Sequence, residues 1–379
     1  MKNNEEQELL NTLKNSLIYR MSLGSKELYH SNVWAWLIEK DPAFLGMFGF
    51  GEDVIKRVQR VGREEGNRDL SVYLTSDEQG QEPIIIIENK LKSIPNKDQL
   101  RGYQNEVGDR FFAGVLTGIC RPTIADADDK IRVQGDQGEK AWDFIDYKTI
   151  AERIKEIALT SKLDERGLAT VNEYCGDIAA MDALVKQKVG ETLDPFWGDE
   201  NGDWNDLGLM DLVNKVRASG FIQYFKERWE KTGTPMPSKV EQGFNNKKNT
   251  LGFFYCVSGQ PTIGIQIEGN QFRRVVYTDR QGQKAKGLFE EFAGSWFDGK
   301  YAGGKKKEKR YLNWPNWPKA EKMETKLTRS YGKYGENFVY QYAWLQAGQM
   351  SYESLYRFLE ENLKIAKELS ENLAKPGKE

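Results

Sequence analysis

The sequence predicts a mixed α/β domain, in which helices flank a sheet, followed by a second domain of the α+β class. Helical and strand periodicities alternate through the first half of the chain. The run Ile84–Leu91 begins with four isoleucines, which is typical of a central strand covered on both faces. Residues 192–206 are acidic and contain Pro and Gly, which indicates a connection. We therefore expect domains over residues 1–191 and 207–379.

The composition is that of a folded protein with a sizeable core. The chain has 379 residues, of which 39% are hydrophobic and 30% charged, and this length predicts about two domains. It contains no run of about 18 apolar residues that would form a transmembrane helix. Its first ten residues are acidic and polar, whereas a signal peptide begins basic and then turns apolar. We expect a cytoplasmic protein with no membrane partner.

The histidine and cysteine content excludes several chemistries. His30 is the single histidine, and the three cysteines lie far apart without a CxxC pair. This content argues against thiolate zinc sites, disulfide frameworks, HExxH proteases and HNH-type nucleases. The net charge of −2 gives no overall basic surface, so nucleic acid would have to bind a local patch. An enzyme with this composition would use carboxylates, lysines and a hard metal ion.

Each element of the first domain follows from its pattern. Apolar spacing predicts a helix over 5–21 that ends at Gly24, and a second helix over 26–39 capped by Ser25. Residues 41–51 indicate a loop. The remaining pattern predicts a strand over 54–65, after a short helical turn, and further strands over 69–74, 84–91, 111–117 and 142–146. It also predicts helices over 96–107, 148–159 and 164–190.

The second domain is predicted from a helix over 207–231, strands over 251–257, 262–268 and 271–278, and a final helix over 351–374. A basic run lies between the last two of these elements, next to Trp314 and Trp317. Such a run is usually a solvated loop, but beside tryptophans it could contact phosphates and bases. Its candidate nucleic-acid-binding residues are Lys305, Lys306, Lys307 and Arg310.

The informative residues lie on the isoleucine strand. Period two places Glu88 and Lys90 on one face, above Ile84 and Ile86. Charges are costly to bury unless they are paired or bind a metal, and such conflicts tend to occur at functional sites. A hairpin with strand 69–74 brings a second carboxylate, Asp69, close to Glu88.

Two carboxylates and one lysine have a defined chemical use. Carboxylate oxygens are the ligands that Mg²⁺ and Mn²⁺ prefer. A bound divalent ion lowers the pKa of its water and offsets charge on a phosphate. An ammonium group can orient the attacking water or stabilise the developing charge. Phosphodiester hydrolysis is the reaction that suits this set.

Asp69 followed by Glu88-Asn89-Lys90 resembles the PD-(D/E)xK nuclease superfamily. The similarity includes the apolar strand before Glu88, the QLxxY motif that begins at Gln99, and an N-terminal ExxHS motif that begins at Glu27. Arginine replaces the proline of the family name, which is a common departure. The resemblance covers about residues 25–120 and does not extend to the second half of the chain.

The resemblance implies a restriction-endonuclease-like sheet and a metal-dependent DNA nuclease. Asp69 and Glu88 would bind Mg²⁺ or Mn²⁺, with Glu27 as a further ligand. Lys90 would be catalytic, and Gln99 would lie near the scissile phosphate. DNA would be the substrate, in restriction, repair or phage defence, and the second domain would supply recognition or contacts to an oligomer or protein partner.

Simpler interpretations stay open for several of these residues. Glu88 and Lys90 could be a solvated pair on an edge strand. Glu27 could favour the positive end of its helix without binding metal. His30 is better explained as a hydrogen-bonded packing residue than as a base.

The QLxxY motif and the whole domain also have alternatives. Gln99 and Tyr103 could form a pair on a helix surface; we favour a functional role for Gln99 and a structural role for Tyr103. The domain could be a nuclease-like fold that binds nucleic acid or a partner without cleavage. The presence of Asp69, Glu88 and Lys90 together favours the nuclease.

Overall fold

A computed structural model describes residues 4–22, 26–76, 80–189, 202–245, 248–269, 271–279, 285–297, 310–311, 322–327, 338–344 and 351–374. These residues form two compact units. The described residues up to 216 make up the first unit, and those from 217 onward make up the second. No helix within the described ranges has the length and apolar character needed to cross a membrane.

The first unit is built on a mixed six-stranded sheet. Its strands are β1 (Val58–Arg63), β2 (Leu70–Leu74), β3 (Ile84–Lys90), β4 (Phe111–Gly118), β5 (Lys130–Gly135) and β6 (Gly138–Asp146), in the order β1-β2-β3-β4-β6-β5. Strand β3 pairs antiparallel with β2 and parallel with β4. Every residue of β3 is buried. The isoleucine run is thus a central strand, as predicted, and the edge-strand interpretation is wrong.

Helices cover both faces of this sheet. They are α1 (Asn4–Asn15), α2 (Leu17–Ser22), α3 (Lys26–Lys40), α4 (Glu52–Ile55), α5 (Lys97–Val107), α6 (Tyr147–Ala158), α7 (Glu165–Lys188) and the short α8 (Asp203–Asp206). On one face, Leu100 and Tyr103 of α5 pack with Ile86, Leu116 and Trp142 of the strands. Helices α3 and α6 contact β3 and β6, respectively. The predicted mixed α/β architecture is confirmed.

The N-terminal segments differ in detail from the pattern. The predicted helix over 5–21 is two helices, because the hydroxyl of Ser16 accepts the amide of Tyr19 and begins a new helix. The predicted loop over 41–51 contains a 3₁₀ helix, Pro42–Phe48, whose first turn is capped by the carboxylate of Asp41. Gly24 and Ser25, the predicted break and cap, lie outside the described residues.

Strand β5 is absent from the sequence prediction. Ile131 and Val133 are the only buried hydrophobic residues of this strand, and its other four positions are Lys130, Arg132, Gln134 and Gly135. The strand pairs antiparallel with β6 at the edge of the sheet. Asp and Gly residues on both sides of the strand made the region look like a loop.

Residues 203–216 group with the first unit. The indole nitrogen of Trp204 lies 3.3 Å from a carboxylate oxygen of Glu6, and the hydroxyl of Tyr19 donates to the carbonyl of Leu207 at 2.9 Å. The sequence places the start of the second domain within this stretch, so the first unit extends further than its pattern indicates. Two separately folding domains stay a prediction, because most of the connection lies outside the described residues.

The second unit contains a seven-stranded antiparallel sheet among its described residues. Its strands are β7 (Lys239–Asn245), β8 (Lys248–Tyr255), β9 (Thr262–Glu268), β10 (Gln271–Tyr277), β11 (Arg310–Tyr311), β12 (Lys322–Leu327) and β13 (Phe338–Trp344), in the order β11-β12-β13-β10-β9-β8-β7. Its helices are the C-terminal part of α9 (Met210–Glu230), α10 (Ala285–Glu291) and α11 (Tyr352–Ala374). The α+β class is confirmed, although β7, β11, β12 and β13 were not predicted.

Aromatic side chains join the helices of the second unit to one face of its sheet. The rings of Phe225 in α9 and Phe253 in β8 lie 4.6 Å apart, and those of Phe272 in β10 and Phe358 in α11 lie 4.3 Å apart. The predicted nucleic-acid-binding residues Lys305, Lys306 and Lys307 lie outside the described residues, and of Arg310 only its place in β11 is described. Their role stays a prediction.

Candidate active site

The two acidic residues predicted to act together lie at the ends of paired strands. In the register of β2 and β3, Leu70 pairs with Ile87, so Asp69 and Glu88 occupy the next opposing position. Directly opposed residues of an antiparallel pair have Cβ atoms about 5 Å apart. Both residues share the face that carries Ile86, which packs beneath α5. The hairpin therefore brings the two carboxylates together, as predicted.

Glu88 is held by two of the other candidate residues. Its Oε1 atom lies 2.6 Å from Nζ of Lys90 and accepts a hydrogen bond of 2.8 Å from the amide of Gln99. Its Oε2 atom is buried and accepts no hydrogen bond from the described residues. The exposed fraction is 1% for Glu88 and 8% for Lys90, so this is a buried ion pair and not a solvated one.

Burial dominates the electrostatics of both acids. Burial, together with the neighbouring charge of Asp69, raises the pKa of Glu88 to about 7, while Lys90 acts in the opposite direction. Burial also raises the pKa of Asp69, although the amide of Asn89 donates to its Oδ2 atom at 2.7 Å and favours the charged form. The site thus holds two acids whose negative charge is only partly compensated.

Asn89 belongs to the site although the sequence did not single it out. Its side-chain amide donates to the carbonyl of Glu27 at 2.7 Å, and its Oδ1 atom accepts from the hydroxyl of Tyr147 at 2.5 Å. Its backbone amide holds Asp69. The signal that could have identified it is its place between two charged residues on a strand whose isoleucine run predicts burial on both faces. Asn89 thus connects β3 to α3 and α6.

Glu27 contacts the loop that follows β3. Its Oε1 atom accepts the amides of Lys92 and Ser93, at 3.0 and 2.8 Å, and the hydroxyl of Ser93 at 2.8 Å. In the described part of the chain, no three His, Cys, Asp or Glu side chains form a group that could hold a metal. The structure therefore does not group Glu27 with Asp69 and Glu88, and its role as a metal ligand stays a prediction.

Gln99 and Tyr103 face the site from α5. The amide of Gln99 donates to the hydroxyl of Tyr103 at 2.6 Å, and that hydroxyl donates to the carbonyl of Asn67 at 2.7 Å. Tyr103 is 6% exposed, so the two residues are not a surface pair. Tyr103 links α5 to the turn before Asp69, which is a structural role, whereas Gln99 touches Glu88 directly.

His30 is buried among aromatic side chains. Its Nδ1 atom lies 2.9 Å from the hydroxyl of Tyr174, and its ring meets the ring of Tyr147 edge-on at 4.8 Å. These contacts agree with the packing role that the sequence favours.

The residues fit a hard divalent cation. Mg²⁺ is usually held by one or two carboxylates, with water and substrate phosphates as its other ligands. Asp69 and Glu88 supply two such groups, and Glu88 Oε2 is a buried acceptor with no hydrogen-bond partner among the described residues. A cation at this position would also offset the burial that raises both pKa values.

Comparison with known families supports the resemblance. Residues 52–176 match the model of a family in the PD-(D/E)XK nuclease superfamily. This segment makes up about one third of the chain and contains Asp69, Glu88, Lys90 and Gln99. The match confirms the resemblance and, for this region, the restriction-endonuclease-like fold. No curated protein and no solved structure gives a significant match. The family match supports a nuclease-like function.

Proposed function

We propose that the protein is a metal-dependent deoxyribonuclease that hydrolyses phosphodiester bonds. The observation that carries this proposal is the buried cluster of Asp69, Glu88 and Lys90, in which Glu88 keeps one oxygen without a hydrogen-bond partner in the described structure. A buried ion pair with an uncompensated carboxylate adds no clear stability, so function is the better explanation. The superfamily match over residues 52–176 supports the same conclusion.

The residues have distinct roles in this proposal. Asp69 and Glu88 would hold Mg²⁺ or Mn²⁺, which supplies charge neutralisation at the phosphate and a more acidic water. Asn89 orients Asp69 through its backbone amide. Gln99 orients Glu88 through its side-chain amide.

Lys90 acts in the chemical step. Its ammonium lies against Glu88 and carries no lone pair while protonated, so it cannot be a metal ligand. It is placed to stabilise negative charge that develops on the phosphate, or to orient the attacking water. The settings of restriction, repair and phage defence stay predictions, as does the role of the second unit.

Cleavage of plasmid DNA by the purified full chain tests the proposal. We expect cleavage with Mg²⁺ or Mn²⁺, none in excess EDTA, and none by Asp69→Asn or Glu88→Gln, which keep the size of the side chains. Asp109→Asn, at an exposed position after α5, is the matched control and should cleave normally. Activity in EDTA or in either site variant would refute the proposal. DNA binding without cleavage would support the non-catalytic alternative.

A further inference from the structure

A buried lysine outside the matched segment touches the end of the catalytic strand. Lys215 lies on α9, 3% exposed, and its ammonium donates to the backbone carbonyls of Lys90, Leu91 and Ser93 at 2.5, 3.1 and 2.7 Å. An ammonium has three donors, and here three carbonyls accept from it. Burial lowers the pKa of Lys215 to about 8, so the group is mainly charged at neutral pH.

One of these carbonyls belongs to Lys90, the last residue of β3, and the other two belong to the segment Leu91–Ser93, which we call the strand-end loop. Glu27 accepts the loop amides of Lys92 and Ser93, so the loop is held through its amides by a carboxylate and through its carbonyls by an ammonium. Burial lowers the pKa of Lys215, and the nearby negative charge of Glu27 acts in the opposite direction.

Helix α9 has a second contact with the same loop. Asp211 lies one turn before Lys215, and its carboxylate pairs with the ammonium of Lys92 at 2.7 Å. The Lys92 side chain is more than half exposed, so this pair adds little stability by itself. Together, the contacts of Asp211 and Lys215 show that one face of α9 contacts the strand-end loop.

We infer that Lys215 is a positioning residue for the nuclease reaction, and that it fixes Lys90 by holding the strand-end loop. The inference rests on the proposed function. Lys90 is the last residue of β3, and its backbone pairs with β4. The next residues in the chain form the strand-end loop that Lys215 holds, so the loop and the sheet together fix Lys90. The segment that matches the nuclease family ends at residue 176 and therefore lacks a residue that the site needs.

Lys215→Met removes the three donors while keeping a long apolar side chain. We expect kcat for DNA cleavage to fall by about 100-fold, since small misplacement of a catalytic group has effects of this size. KM and the affinity for Mn²⁺, measured by titration calorimetry, should not change. Lys215→Arg should not restore kcat, because a planar guanidinium cannot direct its donors to three converging carbonyls. Lys56→Met, which removes an exposed lysine of an i,i+4 pair, should behave as wild type.

Hydrogen exchange provides a readout that is independent of activity. In EDTA, Lys215→Met should speed exchange at the amides of Lys92 and Ser93 by about tenfold or more, while the central strands stay protected. Wild-type kcat in a folded Lys215→Met protein, or unchanged exchange at these two amides, would overturn the inference. If Lys215→Met does not fold, Lys215→Arg decides: a reduced kcat supports the clamp and a wild-type kcat refutes it. If the wild-type protein does not cleave DNA, the proposed function fails, and exchange alone decides whether the clamp exists.

Discussion

Glu88 should make the metal-free protein lose stability as the pH rises. Its pKa is about 7 in the folded protein, against an ordinary value of 4.5, mainly because it is buried. A raised carboxyl pKa means that the folded state holds the proton more tightly than the unfolded state. The free energy of unfolding therefore falls as the pH rises from about 4.5 through 7, and nearly all of this loss is present above pH 7.

The size of this effect follows from the two pKa values. One pKa unit corresponds to about 1.4 kcal/mol, so the full cost is about 3 kcal/mol, and about 2.5 kcal/mol of it develops between roughly pH 5 and pH 8.5. Glu88→Gln resembles the protonated acid and cannot lose a proton. The variant should keep this stability, which corresponds to about 5–10 °C in the melting temperature of a unit of this size.

Calorimetric melting of wild type and Glu88→Gln in EDTA, at a series of pH values, measures the difference directly. The two melting temperatures should be close near pH 4.5, diverge as the pH rises toward 7, and keep a nearly constant difference at higher pH. Glu52→Gln, an exposed carboxylate on α4, is the control and should follow wild type. Parallel curves for wild type and Glu88→Gln across this range would show that burial does not hold Glu88 neutral, and would refute the electrostatic account of the site. Added Mg²⁺ should raise the melting temperature of wild type more than that of the variant.

Three further outcomes follow from named contacts. Lys90→Ala should lose about 100-fold or more in cleavage rate but keep its affinity for Mn²⁺, and Lys90→Arg should not restore the rate. Cleavage assays and titration calorimetry test these outcomes, and a wild-type rate in Lys90→Ala would contradict the catalytic role. Limited proteolysis should cut within 192–206, and mass spectrometry showing cuts only inside 54–118 would contradict the boundary. Tyr147→Phe should lower the free energy of unfolding by about 1–2 kcal/mol, because Asn89 loses a buried donor, and urea unfolding would detect the absence of such a loss.

Strand β3 and its charged residues could be predicted because their signals are local. Four consecutive isoleucines indicate burial on both faces, and a period of two places Glu88 and Lys90 together. The hairpin adds Asp69 because β2 and β3 are consecutive in the chain and pair antiparallel. The family resemblance then adds Gln99, which the structure places on Glu88.

The parts that could not be predicted depend on tertiary contacts or on weak patterns. Lys215 is 125 residues from Lys90 in the chain, and a single lysine in a helix carries no sign that it is buried. Glu27 was predicted as a metal ligand from the resemblance, but the pattern does not show that the strand-end loop donates to it. Strand β5 has only two buried hydrophobic residues, so its neighbouring turn residues dominated the prediction.

Glu88 and Lys215 are two buried ionisable groups near the end of β3, and their charges are compensated to different degrees. Burial shifts the pKa of Glu88 upward and that of Lys215 downward, so both are moved toward their neutral forms. Lys215 donates to three carbonyls, whereas Glu88 keeps one buried oxygen that no described residue satisfies. A satisfied charge fixes the backbone around it. An unsatisfied one costs stability that a bound cation would return, and this difference agrees with the roles that we propose, Lys215 in positioning and Glu88 in metal binding.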